Sequence, residues 1–160
     1  MPAKPSSSLP TEPVNRRGLV ARLVAAAAAG AAVFNGEALA AAPDVPRVAY
    51  HLSDMDKVAF VLGNIANHIE GMGGPDKVAI VLVVHGPALN AFRQSAANPD
   101  IVRKLSKASA QGVGLEACGN TLKAQKLTLA ELLPGFVQVD QGGVTRLAQL
   151  QAEGYAYLRP

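Results

Sequence analysis

The 160-residue chain has one cysteine, Cys118, and no tryptophan, and its aromatic content is four Phe and three Tyr. A single thiol rules out an intrachain disulfide framework and any zinc site built on paired cysteines. Charged residues are sparse, at 17 %, and no basic stripe with interleaved aromatics is present, so nothing points to nucleic acid. The apolar run from Leu23 to Phe34 is about a dozen residues, short of the ~20 that a membrane span needs. No Ser/His/Asp set has the spacing of a nucleophile elbow, and the carboxylates show no catalytic pairing. The glycines at 71–74 follow a helical pattern rather than a strand, so they do not read as a phosphate cradle.

What the first forty residues do contain is the layout of an export leader. A Pro- and Ser-rich start leads to Arg16-Arg17, then to the apolar run, then to the small-x-small triplet Ala38-Leu39-Ala40. The spacing predicts a signal peptide over 1–40 with the mature chain starting at Ala41, against the alternative of an uncleaved anchor. The arginine pair followed by Gly18, Leu19 and Val20 resembles a twin-arginine signal. Of fifteen basic residues four fall in this segment, and of twelve acidic residues two do. The remainder is therefore near neutral. At about 120 residues it is the size of one domain, read here as a short linker over 41–46 and a domain over 47–160.

Within that domain, apolar runs of strand length alternate with segments of helical period, the pattern of a parallel sheet covered by helices. Strands are expected at 47–52, 77–84, 113–117, 136–139 and 155–158. A first helix, capped by Ser53 or Asp54, carries Val58, Val61, Leu62, Ile65 and Ile69 on one stripe. Further helices are expected over 88–96, from Asn98 to Gly112, over 120–126 and over 144–152. Thr128 and Glu131 have the spacing of a capping box.

Parallel strands deliver their C-terminal ends to one edge of a sheet, where ligands bind. His51, His85 and Cys118 each stand at such an end. Gly119 permits close approach of another backbone or a ligand, and the helix after it would aim free N–H groups at the sulfur, favouring thiolate. Two readings stay open for Cys118, a packed small hydrophobe or a nucleophile that carries sulfane sulfur as a persulfide. Both histidines also stay open between loop residue and ligand contact. His68 lies on the first helix, and the histidine and cysteine spacings match no zinc pattern.

The runs His51-Leu-Ser-Asp54, Phe60-Val-Leu-Gly-Asn-Ile-Ala-Asn-His68 and Val84-His85-Gly86 resemble the DsrE/DsrF-like family. So, above all, does Ala117-Cys-Gly-Asn-Thr-Leu-Lys-Ala-Gln125, with Leu133-Pro-Gly135 and Gly154-Tyr-Ala-Tyr157. The likeness spans 47–160 and suggests an exported short-chain member. It implies a three-layer α/β fold, a mainly parallel sheet flanked by helices in a flavodoxin-like arrangement, assembled as a homo-oligomer, a trimer or hexamer. Abundant apolar residues, 49 % of the chain, agree with surface buried between subunits.

The resemblance further implies a sulfur-relay carrier with Cys118 as persulfide acceptor. The site expected from it and from the strand ends is Cys118 with His85 as proton donor or orienter, and His51, Gly86, Gly119, Asn120 and Thr121 around the ligand. No metal and no cofactor is expected. Partners would be sulfur donor and acceptor proteins or small thiols, in the periplasm, with no nucleic acid and no stable membrane span after processing. Whether the chain is an enzyme of a sulfurtransferase kind stays open. The alternatives are a noncatalytic oligomeric module that binds a small ligand or a protein, with a structural cysteine, and a thiol redox sensor.

Overall fold

The computed structural model describes residues 45–160. The expected leader, with residues 41–44 of the expected linker, lies outside the described residues. Strands β1 (Arg47–Leu52), β2 (Ala79–Val84), β3 (Gly114–Cys118), β4 (Phe136–Val139) and β5 (Ala156–Leu158) form one sheet in the order β4-β3-β2-β1-β5. All four neighbouring pairs are parallel. The helices are α1 (Val58–Gly71), α2 (Pro99–Ala110), α3 (Gly119–Gln125) and α4 (Gly143–Ala152). From β1 to β4 the chain steps outward one strand at a time, and crossovers of one hand place α1, α2 and α3 on a single face. The return from β4 to β5 runs back across the sheet, so α4 packs over β1, β2, β3 and β5 on the other face.

Side-chain alternation in the strands sorts the core between the two faces. Val48, Tyr50 and Leu52 of β1 and Ile80, Leu82 and Val84 of β2 meet the α1 stripe Val58, Val61, Leu62, Ile65 and Ile69 in the large core. Phe92 and Phe136 join it edge to face, with ring centroids 5.2 Å apart. On the opposite face, among the described residues, only Ala49, Val83, Leu147 and Leu150 form a buried cluster. Each fully buried aliphatic side chain contributes about 1.5–3 kcal/mol, so the apolar hold on α4 is weak beside that on α1.

The sheet has the expected five strands, with adjusted ends. β2 begins at Ala79 because Pro75–Lys77 winds into a 3-10 turn, and β3 runs one residue further than expected, to Cys118. The expected helix over 88–96 is instead a 3-10 helix, Gly86–Phe92. Its continuation is blocked where Arg93 pairs with Leu132 in an antiparallel bridge and the Phe92 carbonyl accepts the N–H of Leu133. Asp54 precedes a 3-10 turn, Met55–Lys57, that leads into α1, and no side chain caps it. The Thr128–Glu131 capping box is present, on the 3-10 turn Leu129–Glu131.

Candidate functional site

Cys118 ends β3 and is the N-cap of α3, with φ −64° and ψ 116°. Strand passes into helix with no intervening loop, so the sulfur stands at the N-terminus of α3, though it makes no capping hydrogen bond there. Opposite them, β4 ends and the chain reverses through Gln141 and Gly142 into α4. The N–H of Gly143, the first residue of that helix, donates to Cys118 Sγ at 3.1 Å. Two helix N-termini from separate parts of the chain thus converge on one thiol.

Three glycines make that convergence possible. A Cβ on Gly119 would stand 3.0 Å from the Val139 carbonyl oxygen and 3.2 Å from Asp140 Cα. The close approach allowed by this residue is therefore made by the β4 end. Gly142 has φ +92°, and a Cβ there would meet Asn120 Nδ2 at 2.5 Å. Gly143 is wedged between the two expected catalytic residues, since its Cβ would lie 3.3 Å from His85 Cβ and 3.4 Å from Cys118 Cβ.

Burial pushes the Cys118 thiol pKa up. The Thr121 hydroxyl and the N–H groups of Gly143, Thr121 and Asn120 outweigh it and hold the pKa below the ordinary cysteine value. Thr121 has a second task, because its Oγ1 accepts the N–H of Gly86 at 3.0 Å while Gln125 Nε2 donates to the Gly86 carbonyl at 2.9 Å. Helix α3 therefore grips the turn after β2, where Gly86 takes φ +59°, and sets the place of His85. Cys118 itself is only 6 % exposed. It lies beneath a cavity of about 260 Å³ bordered by His85, Asn120, Thr121, Gln141, Gly143 and Thr145, whose described lining contains no Asp, Glu, Lys or Arg.

His51 and His85 come together as the parallel sheet requires, since β1 and β2 are neighbours. Their rings stack with centroids 4.6 Å apart, and their Nε2 atoms are 2.5 Å apart. His51 Nδ1 bonds the Tyr157 hydroxyl of β5 at 2.6 Å. Desolvation is the main cause that lowers the His51 pKa, to about 4, helped by His85 and Arg159 and opposed by Asp54. The His85 pKa is lowered by desolvation first and Arg159 second, again against Asp54. His85 thus borders the cysteine cavity while its Nε2 faces His51. No hydrogen bond joins it to Sγ among the described residues.

His68 is apart from this rim, bonded through Nδ1 to the Tyr50 hydroxyl at 2.9 Å. Among the described residues no three His, Cys, Asp or Glu side chains are arranged to hold a metal ion, and no helix is long and apolar enough to cross a membrane.

Sequence reasoning did not single out Gly143, or the ion pair between Glu116 of β3 and Arg146 of α4. For Gly143 a signal existed, because Gly142-Gly143 follows a strand and opens a helix, the arrangement that gathers backbone N–H groups around an anion. For Glu116 the signal was a carboxylate in the middle of an otherwise apolar strand.

A model of the DsrE/DsrF-like family matches residues 44–160. The solved structure of MTH1491 from Methanobacterium thermoautotrophicum, a protein of unknown function, is 31 % identical. It covers 72 % of this chain and 99 % of that one, with a TM-score of 0.62. The ychN protein from E. coli shares the fold at 15 % identity and a TM-score of 0.54, over 71 % of this chain and 99 % of its own. No curated protein matches the chain.

Proposed function

The chain belongs to the DsrE/DsrF-like family, and on that premise we propose that it is an exported sulfur-relay carrier that holds sulfane sulfur as a persulfide on Cys118. The observation that supports this reading best is the Gly143 N–H on the Cys118 sulfur, beside the Thr121 hydroxyl and α3 amides that further lower the thiol pKa. Such a set stabilises a thiolate before transfer and a terminal persulfide anion after it.

In the loading step the Cys118 thiolate attacks the outer sulfur of a persulfide or polysulfide donor. The donor's S–S bond breaks as the new Sγ–S bond forms, and the donor departs as a thiolate or as a polysulfide one sulfur shorter. Onward transfer runs the same exchange again: an acceptor thiolate takes the outer sulfur, and Cys118 leaves as the stabilised thiolate. No external oxidant or reductant enters either step. His85 borders the same cavity and is assigned to orienting the incoming group. His51, Gly86, Gly119, Asn120 and Thr121 complete the surroundings, His51 through His85 and Gly86 through Thr121. The leader over 1–40 would direct this domain, 47–160, to the periplasm, where it would work as a homo-oligomer.

The burial of Cys118 favours one competing reading, a noncatalytic oligomeric binding module with a packed cysteine. Intact mass after incubation with polysulfide, with Cys118→Ala as control, separates the two. A dithiothreitol-reversible gain of about 32 Da, one sulfur atom, on wild type alone is the outcome expected of a carrier. A wild-type protein that gains no sulfur and alkylates slowly would leave the binding module standing.

A further inference from the structure

Glu116 is the one buried charged residue among the described residues, 9 % exposed. It lies on β3 two residues before Cys118, so both side chains leave the same face of the strand. Arg146 lies on α4 three residues after Gly143, one turn along the same helix. Arg146 Nε donates to both Glu116 oxygens, at 2.9 and 3.1 Å, and Nη1 reaches Glu153 at 3.1 Å. The Gly143–Cys118 and Arg146–Glu116 contacts are therefore two successive rungs between one strand and one helix.

Apolar packing is a poor candidate for fixing that register, because α4 buries only Gly143, Leu147 and Leu150. Leucine contacts also tolerate small slides and rotations that a planar guanidinium held at Nε by Glu116 and at Nη1 by Glu153 does not. As a source of stability alone, a buried ion pair is a weak choice beside apolar residues of the same volume. We propose that the Glu116–Arg146 pair is a positioning device that holds the first turn of α4 in place, so that the Gly143 N–H stays on the Cys118 sulfur. Glu116 and Arg146 are positioning residues, since neither lines the cavity above the thiol. The purpose of the device rests on the carrier reading, but its existence does not.

The test is the pH profile of Cys118 alkylation in Glu116→Gln, and direct electrostatics and positioning predict opposite signs. Removing the carboxylate takes a negative charge from near the thiol and leaves Arg146 paired with Glu153 alone, which by itself would favour thiolate and speed alkylation. Loss of positioning weakens the Gly143 hydrogen bond and slows alkylation at pH 7 by about threefold or more. Arg146→Lys keeps the charge but not the planar fork, so it is expected to slow the reaction as well. In both variants hydrogen exchange at the Gly143 amide should quicken while the Leu147 and Leu150 amides stay protected. A wild-type or faster alkylation profile in Glu116→Gln overturns the proposal. If that variant does not fold, a wild-type profile in Arg146→Lys does so. These readouts use the bare thiol, so they decide the matter even if the wild-type protein takes up no sulfur.

Discussion

The backbone N–H of Gly143 meets the sulfur of Cys118 at 3.1 Å across 25 residues of sequence. The bond fixes the start of α4 to the end of β3 and, together with the Thr121 hydroxyl and the Thr121 and Asn120 amides, gives a buried thiol, which desolvation would make less acidic, a lowered pKa. It is available only because residue 143 has no side chain, with His85 on one flank and Cys118 on the other.

Gly143→Ala places a methyl group 3.3–3.4 Å from two Cβ atoms, close enough that α4 must withdraw by a few tenths of an ångström. The Cys118 pKa should rise, at a stability cost of about 1 kcal/mol. Gly142→Ala should cost more, about 1–3 kcal/mol, since it combines a left-handed φ with a clash against Asn120. Denaturant unfolding of the two variants, paired with alkylation against pH, checks both statements. Equal acidity in wild type and Gly143→Ala would count against the role of that amide.

Thr121 acts on two groups, since its hydroxyl lowers the Cys118 pKa and accepts the N–H of Gly86. Thr121→Val keeps the shape and removes the hydroxyl, leaving the Gly86 N–H without its acceptor. We expect a loss of about 1–2 kcal/mol and a thiol that alkylates more slowly at neutral pH. Thr121→Ser, which keeps the hydroxyl, should restore the acidity. If valine and serine behaved alike in the alkylation profile, the hydroxyl would have no part in it.

The sheet was legible because β-branched runs such as 79–84 have few other uses in a domain this small, and the α1 stripe could be read from its period alone. The convergence of His51, His85 and Cys118 on one edge followed from parallel strands, but their proximity depended on strand order. Nothing local in the sequence encodes the order β4-β3-β2-β1-β5. The helix expected after Pro87 failed for a related reason: its backbone groups at Phe92 and Arg93 are taken by residues 132 and 133, a long-range competition that a local pattern does not register. Gly143 and Arg146 likewise act across the fold, from a helix that periodicity located without showing which strand it would cross.

Acid should expose the histidine pair. In the folded protein His51 has a pKa of about 4 and that of His85 is also lowered, against 6.5 for an ordinary histidine. A folded-state pKa below the unfolded one means that the neutral rings contribute stability above pH 6.5. That contribution is lost as pH falls toward 4, because the unfolded chain binds protons that the folded one refuses. Mechanically, the two Nε2 atoms face each other, so one of them must be bare to accept the other's N–H, and protonating both rings removes that acceptor. Wild-type stability measured by denaturant unfolding should therefore fall between pH 6.5 and 4. His51→Gln leaves no facing pair of imidazoles and should flatten that part of the curve. Should the variant keep the wild-type slope over the same interval, the acid sensitivity belongs to the carboxylates and the histidine pair has no share in it.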